Sequence, residues 1–453
     1  MFLCSITRLG HSTWTSRSWL RTSEASNETG LKWLHPRCAG SSYRFSSLYA
    51  SLGTQRDDSR STEASAAENE QPLLLRVLRG DVRVPRPPVW LMRQAGRYMS
   101  AFRSYSDRYA FRERAENPEI AVELSLQPWR AFGVDAVIMF ADILTPLPAM
   151  GLDYQIVPGK GPCIKPSIRS MEDLARIEPL TIDAAEAALP FVGATLTELA
   201  RQLATRHPRP ALLGFLGAPF TLAAYAIDGE GGRATAGRHV KRMMYTAEGQ
   251  NLLHRLLTIM TESMVAYAVY QARMGAEAIQ IFDSWAHLLP PEDYRELSLP
   301  YIARLVQGIR AADVQIPLIL FANGSCGKLD TLEMVFPRRI ISTTDAPGLD
   351  ALGLDWKTSM AEARRLYGPQ AILQGNIDPM VLAFGEQATM AAAIDRCVCS
   401  AAGGPHILNL GHGVMQETPE DSVAYFCDHV RALASANWYR DLRAALIEKR
   451  GML

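Results

Sequence analysis

From Val89 onward the chain repeats one pattern: a short apolar run, a polar or glycine-bearing turn, then a stretch with apolar residues three and four apart. The runs occupy 89–92, 136–140, 212–216, 278–282, 317–321, 351–354, 371–373 and 407–410. None alternates strongly between apolar and polar, which predicts strands covered on both faces, as in a parallel sheet. The stretches between them, such as 118–132, 247–274 and 293–312, carry the period of amphipathic helices. Eight such units predict an α/β fold, a (β/α)8 TIM barrel with insertions, although a doubly wound sheet gives similar local signals. A ninth strand-like run, 339–344, competes for eight places. The run at 351–354 is the expected barrel strand because Asp355 and Trp356 follow it at once, leaving 339–344 as an extra strand or loop.

Residues 1–70 break the pattern. They hold 14 serines and seven threonines, and the first acid, Glu24, comes after Arg8, Arg17 and Arg21. A hydroxylated, arginine-bearing, acid-poor start without a continuous apolar run reads as an organelle transit peptide. The segment 57–70 follows as a polar linker with too little apolar surface to offset the entropy of ordering. The expected division is therefore a disordered targeting extension over 1–70 and a single catalytic domain over 71–453. The expected destination is the plastid, with the mitochondrion as the alternative, since both presequence types share this composition.

Composition narrows the partners. With 47 basic against 47 acidic residues among 453, and 48% apolar, the chain is suited neither to wholesale nucleic-acid binding nor to disorder. No apolar run approaches the ~18 residues of a membrane span. Seven scattered cysteines without a C-x-x-C pair argue against structural zinc and a disulfide framework. Only seven of the 47 basic residues are lysines. Arginine's planar fork suits carboxylates, but a GC-rich coding bias gives the same excess, so the count locates no site.

Ligands of parallel α/β folds bind at the carboxyl ends of the strands, so the residues just after each run carry the candidate chemistry. After the first run come Arg93, Gln94, Ala95, Gly96 and Arg97; after the second, Asp142; after the third, Gly217-Ala218-Pro219 and then Tyr225; after the fourth, Asp283 and Ser284; after the last, His412. Two arginines four apart, separated by a glycine, suit an anion. Asp142 is either a helix cap, an arginine partner, or a carboxylate preorganised for N–H donors or developing positive charge. His412, between two glycines, is a candidate ligand contact. The glycine-rich 228–233 carries acids and lacks phosphate-loop spacing, and reads as a loop near the mouth.

Seven blocks resemble the signatures of the uroporphyrinogen decarboxylase family, in that family's order: PVWLMRQAGRYM (88–99), FADILTPLPAMG (140–151), VPGKGP (157–162), LLGFLGAPFTLAAY (212–225), QIFDSWAHLL (280–289), QGNIDP (374–379) and NLGHGV (409–414). The resemblance implies a (β/α)8 barrel, usually a homodimer. It also implies an enzyme that removes carbon dioxide from the four acetate arms of uroporphyrinogen III, giving coproporphyrinogen III in haem and chlorophyll biosynthesis, without cofactor or metal. Carried over residue by residue, it makes Arg93 and Arg97 the carboxylate-binding pair and Gln94, Ala95 and Gly96 the rest of the lining loop. Asp142 becomes the acceptor of pyrrole N–H groups, stabilising a ring cation, and Tyr225, Ser284 and His412 bind substrate carboxylates. Asp142, near guanidiniums, is expected to have a lowered pKa.

Two stretches depart from the family pattern. After Arg97-Tyr98 the family continues with Leu-Pro-Glu and a further arginine, whereas here the chain reads Met99-Ser100-Ala101-Phe102, and 335–347 looks like an insertion. Two rivals are carried forward. A related zinc-dependent corrinoid/thiol methyltransferase would need a His-x-Cys pair where this chain has Gly324-Ser325-Cys326. A non-catalytic tetrapyrrole-binding protein would need the arginines without a central carboxylate.

Overall fold

The computed structural model describes residues 71–157, 160–229, 237–336 and 348–451. The expected extension over 1–70, the strand candidate at 339–344 and most of the loop at 228–233 lie outside them.

Seven strands form one parallel sheet: β1 (Ala136–Ile138), β4 (Ala211–Gly217), β5 (Ala278–Asp283), β6 (Leu318–Ala322), β7 (Ala351–Gly353), β8 (Ile372–Gln374) and β9 (His406–Ile407), adjacent in that order. Between β1 and β4 the antiparallel pair β2 (Asp153–Val157) and β3 (Gly161–Lys165) stands apart as a hairpin. The run at 351–354 is thus the barrel strand, as expected. The first run, expected as a full strand over 89–92, is instead a single bridge residue, Val89, paired in parallel with Leu408. Its backbone closes the ring: Leu408 N–H donates to the Pro88 carbonyl at 2.9 Å on one side, and Asp135 N–H to the Val89 carbonyl at 2.7 Å on the other. Pro87 and Pro88 have no N–H to extend the ladder.

β4 is buried at every position, the property that its non-alternating sequence predicts. The helix expected at 118–132 is Pro118–Phe132, started by Pro118 and the Asn117 side chain, which accepts from the N–H of Glu119 and Ile120, and stopped by left-handed Gly133. The stretch at 247–274 is the helix Ala247–Arg273. The single helix expected over 293–312 divides into Pro291–Leu297 and Leu299–Ala311. Pro300 removes a helical N–H and crowds the preceding turn, and the break at Ser298 lets its hydroxyl donate to the Asp283 carboxylate at 2.7 Å.

The inside of the ring is lined by buried apolar side chains. Trp90, Ala136, Ala211, Ala278, Ile319, Ala351, Ile372 and Ile407 form one apolar cluster with Leu74, Leu75, Val77 and Leu78 of the short helix Leu73–Leu78. A buried amide chain crosses the same space. Trp90 Nε1 donates to Gln374 Oε1, Gln374 Nε2 to Gln280 Oε1, both at 3.0 Å, and Gln280 Nε2 to the Ile319 carbonyl at 3.2 Å. Each link satisfies the next, so the polar atoms stiffen the interior instead of loosening it.

One device recurs at the amino-terminal end of the strands. Asp135, Glu277 and Asp350 each immediately precede an alanine that opens β1, β5 or β7. Each carboxylate accepts the backbone N–H of the neighbouring chain segment: Val89 at 2.7 Å, Leu212 at 2.9 Å and Leu318 at 2.8 Å. Each also accepts from an arginine upstream of that segment: Arg86 at 2.6 Å, and Arg209 and Arg310 each at 2.7 Å. At the fourth such junction, between β8 and β9, the acid is replaced by Pro405. There the buried Arg364 donates to the carbonyls of Gly368, Ala371, Ala401 and Pro405.

Candidate active site

The opposite, carboxyl ends of the strands bring together most of the residues that the sequence singles out. Arg93 leaves the Val89 bridge in the left-handed region, with φ of 59°, an uncommon conformation for a side-chain-bearing residue. Its guanidinium is exposed. Gly413 makes room for it: a Cβ there would lie 2.4 Å from Arg93 Cδ. Gly411, likewise, lets the backbone approach Trp356, whose N would be 2.1 Å from an added Cβ. The glycines around His412 therefore seat Arg93 and Trp356.

The Arg93–Arg97 turn is fastened by Gln94. Its buried side chain accepts from Leu91 N–H at 3.2 Å and donates to the Ala136 carbonyl at 3.0 Å, while its own carbonyl accepts from the Tyr98 hydroxyl at 2.7 Å. With its side-chain amide occupied, its carbonyl taken by Tyr98 and its N–H donating to the Leu91 carbonyl at 3.0 Å, Gln94 holds the loop in place. Ala95 and Gly96 are half-buried beside it. Arg97 is exposed, and neither Arg93 nor Arg97 makes an ion pair among the described residues.

Asp142 sits beyond β1 in a turn of its own making. Its Oδ1 accepts from Leu144 N–H at 2.9 Å, and its N–H donates to Thr145 Oγ1 at 3.2 Å. Burial raises its pKa above the ordinary carboxylate value, and this outweighs the Leu144 hydrogen bond and the positive charge of Arg93, both of which oppose it. The expected lowering is thus reversed, because desolvation is the larger effect and only one guanidinium bears on the group.

Tyr225, on the helix Pro219–Asp228, packs edge-on against Trp285 with ring centroids 4.9 Å apart, within electrostatic reach of both Asp142 and Arg93. Burial raises its phenol pKa, and the Asp142 charge adds to the shift. His412 is half-buried and edge-on to Trp356, at 5.6 Å. Its pKa is pushed down to about 4, chiefly by burial and then by the charges of Arg93 and His287, so the imidazole is neutral near pH 7.

Ser284 is half-buried at the end of β5. It is positioned by Asp283, which is fully buried and accepts from Thr221 Oγ1 and Ser298 Oγ, both at 2.7 Å. The sequence reading passed over several neighbours. Asp355 Oδ1 gathers Lys357 N–H, Thr358 N–H and the Thr358 hydroxyl at 2.9, 3.0 and 2.9 Å. Asn323 and His287 meet the Ser284 carbonyl. His287 lies inside the quoted block 280–289, but a single histidine in a loop gives no periodicity or spacing to distinguish it. Beyond the stretch that departs from the family pattern, Arg114 is buried over the rings of Phe102, which belongs to that stretch, and of Phe111 and Phe140, 5.2 to 5.7 Å from their centroids.

Gly324 bears on the zinc alternative. It has φ of 79°, and a Cβ there would meet Cα and Cβ of His287 at 2.9 Å, so the backbone has no room for a histidine ligand at that position.

The family model described as uroporphyrinogen decarboxylase (URO-D) matches residues 69–433. A uroporphyrinogen decarboxylase of Gloeobacter violaceus is 43% identical over 364 residues, which cover 80% of this chain and 98% of its own. Uroporphyrinogen decarboxylase 1, chloroplastic, of Oryza sativa subsp. japonica is 43% identical over 371 residues, 82% of this chain and 86% of its own. Among solved structures, a methyltransferase from Methanosarcina mazei superposes with a TM-score of 0.63 at 21% identity, covering 79% of this chain and 97% of its own, a likeness of fold.

Proposed function

The chain belongs to the uroporphyrinogen decarboxylase family, and we propose that it converts the four acetate arms of uroporphyrinogen III to methyl groups, giving coproporphyrinogen III, with Arg93, Arg97 and Asp142 at the centre of the reaction. The observation that carries the reading is a contrast in pairing. The arginines at the amino-terminal end of the strands are matched with Asp135, Glu277 and Asp350, whereas Arg93 and Arg97 at the mouth have no carboxylate partner among the described residues, near a half-buried Asp142. A ring with carboxylate arms outside and N–H donors inside complements that arrangement.

Each turn of the chemistry consumes one proton net. A proton adds to a pyrrole carbon and makes the ring cationic; the bond to the carboxyl group breaks, its electron pair passes into the ring, and carbon dioxide leaves. A proton then adds to the exocyclic carbon to form the methyl group, and the ring gives up its extra proton. Asp142 accepts from the pyrrole N–H groups and lies against the cation, where a fixed carboxylate in a dry site stabilises charge better than water does. Donors and positive charge on the bound ring oppose the upward shift that burial causes and favour the ionised carboxylate. Tyr225, Ser284 and His412 take further carboxylates, and the neutral imidazole of His412 serves as a hydrogen-bonding group.

The test is anaerobic incubation of the purified protein with uroporphyrinogen III and no added cofactor, following carbon dioxide and coproporphyrinogen. Asp142→Asn keeps the shape and removes the charge, and should lower kcat by roughly 100-fold or more. Turnover by that variant at the wild-type rate would remove Asp142 from the mechanism. A pure tetrapyrrole binder would bind the substrate and release no carbon dioxide.

Two further parts of the reading concern setting. The protein acts as a homodimer, in keeping with exposed Met334, Trp356, Met380 and Phe384, which follow the carboxyl ends of β6, β7 and β8. It acts in the plastid, delivered by residues 1–70, and a fluorescent fusion of those residues tests the destination.

A further inference from the structure

We propose that His287 is an additional substrate-binding residue, donating a hydrogen bond from Nε2 to a carboxylate arm of the substrate alongside Arg93 and His412. The inference rests on the reading above and adds a residue to it. His287 is exposed at the mouth, in the short 3-10 turn Ala286–Leu288 that follows β5. It is held from two strands. Its Nδ1 lies 3.0 Å from the Ser284 carbonyl and 3.3 Å from Asn323 Nδ2, and Asn323 Nδ2 itself donates to the same carbonyl at 3.0 Å.

The contacts at Nδ1 decide what the far side of the ring can do. With Asn323 donating to Nδ1, the neutral ring carries its proton on Nε2. With the ring protonated, the Nδ1 proton turns to the Ser284 carbonyl, and Nε2 again carries one. Both of these arrangements present an Nε2–H donor; the remaining neutral tautomer, with its proton on Nδ1 and donated to the Ser284 carbonyl, leaves Nε2 an acceptor, and a carboxylate arm selects the donor forms. Nε2 has no hydrogen-bond partner among the described residues. The backbone is shaped around this side chain. Gly324, after β6, stands where any Cβ would collide with Cα and Cβ of His287 at 2.9 Å.

The surroundings define the ligand. Gly413, next to His412, lies directly against the Arg93 side chain, and His287 is fixed at the adjoining strand ends by Ser284 and Asn323, within electrostatic reach of His412, so the three serve one region of the mouth. Ser284, whose carbonyl fixes the His287 ring, is itself among the residues that face substrate carboxylates. A group that is anionic, accepts several hydrogen bonds and carries more than one such arm fits that convergence.

The test compares wild type, His287→Ala and His287→Gln in anaerobic turnover of uroporphyrinogen III, with thermal melting of each. Gln places an amide N–H near the position of Nε2. Loss of one hydrogen bond to a charged group should raise KM by about tenfold or more in His287→Ala, with a much smaller change in kcat. His287→Gln should recover most of the loss, and all three should melt alike. Wild-type KM in His287→Ala overturns the proposal. So does an equal loss in both variants accompanied by a lower melting temperature, which marks a structural role. Titration with uroporphyrin, the oxidised ring that does not react, reads binding separately: weaker binding by His287→Ala supports the proposal, and unchanged binding overturns it. Absence of turnover by the wild type would instead count against the decarboxylase reading.

Discussion

At the scale of single residues, the site is held in conformations and charge states that its function requires and its stability opposes. Asp142 is the clearest case. A carboxyl whose folded pKa lies above its unfolded value contributes stability that is present at low pH and lost as pH rises through the folded value. Asp142→Asn should therefore be more stable than wild type at pH 7, and the difference should vanish below about pH 4, where both forms are neutral; melting temperatures across pH 3–8 would show it. On the proposed role of Asp142, the same upward shift should move the acid limb of kcat/KM for the free enzyme upward from the ordinary carboxylate value, which a pH–rate profile would show. Arg93 presents the backbone version of this conflict. Its left-handed conformation costs on the order of 1 kcal/mol for a residue with a side chain, so Arg93→Gly should melt at or above the wild-type temperature while losing most of its affinity for uroporphyrinogen. Neither conflict can be read in the sequence, because the burial of position 142 and the sign of φ at position 93 are set by distant neighbours. The identities of both residues, and their place after apolar runs, were legible.

At the scale of elements, the sequence is most informative where burial writes itself into composition. Strands covered on both faces read as plain apolar runs, and seven of the eight runs expected lie in the sheet, with 351–354 correctly preferred as a barrel strand. The first run shrinks to Val89 because closure there relies on backbone hydrogen bonds flanked by two prolines, and the helix over 293–312 breaks because Pro300 and the needs of Asp283 coincide at Ser298. The acid–arginine latches left no trace that could be read: Asp135, Glu277 and Asp350 meet arginines 49, 68 and 40 positions away. Their importance can be measured. Asp135→Ala removes the acceptor of both Arg86 and Val89 N–H at the point where the ring closes, and should destabilise the fold by about 2–4 kcal/mol in denaturant unfolding. An exposed pair of similar length, such as Arg201–Glu198, should show little or no measurable loss on the same kind of replacement.

At the scale of the whole molecule, a neutral sum of 47 against 47 conceals two populations of arginine at opposite ends of one barrel, paired at one end and open to a ligand at the other. The latches also divide the ring. They join the Val89 segment to β1, β4 to β5 and β6 to β7, and Arg364 serves the junction of β8 with β9, so the eight positions around the barrel fall into four pairs. A chain cut at exposed Pro290 leaves two pairs complete in each piece, each with its own arginines, whereas a cut at Gly275 parts Glu277 from Arg209. Two polypeptides ending and beginning at Leu289 and Pro290 should thus reassemble into a working decarboxylase when produced together, and a pair divided at Met274 and Gly275 should recover much less activity. The barrel would then behave as two interlocking halves, divisible at a seam that none of the acid–arginine latches crosses.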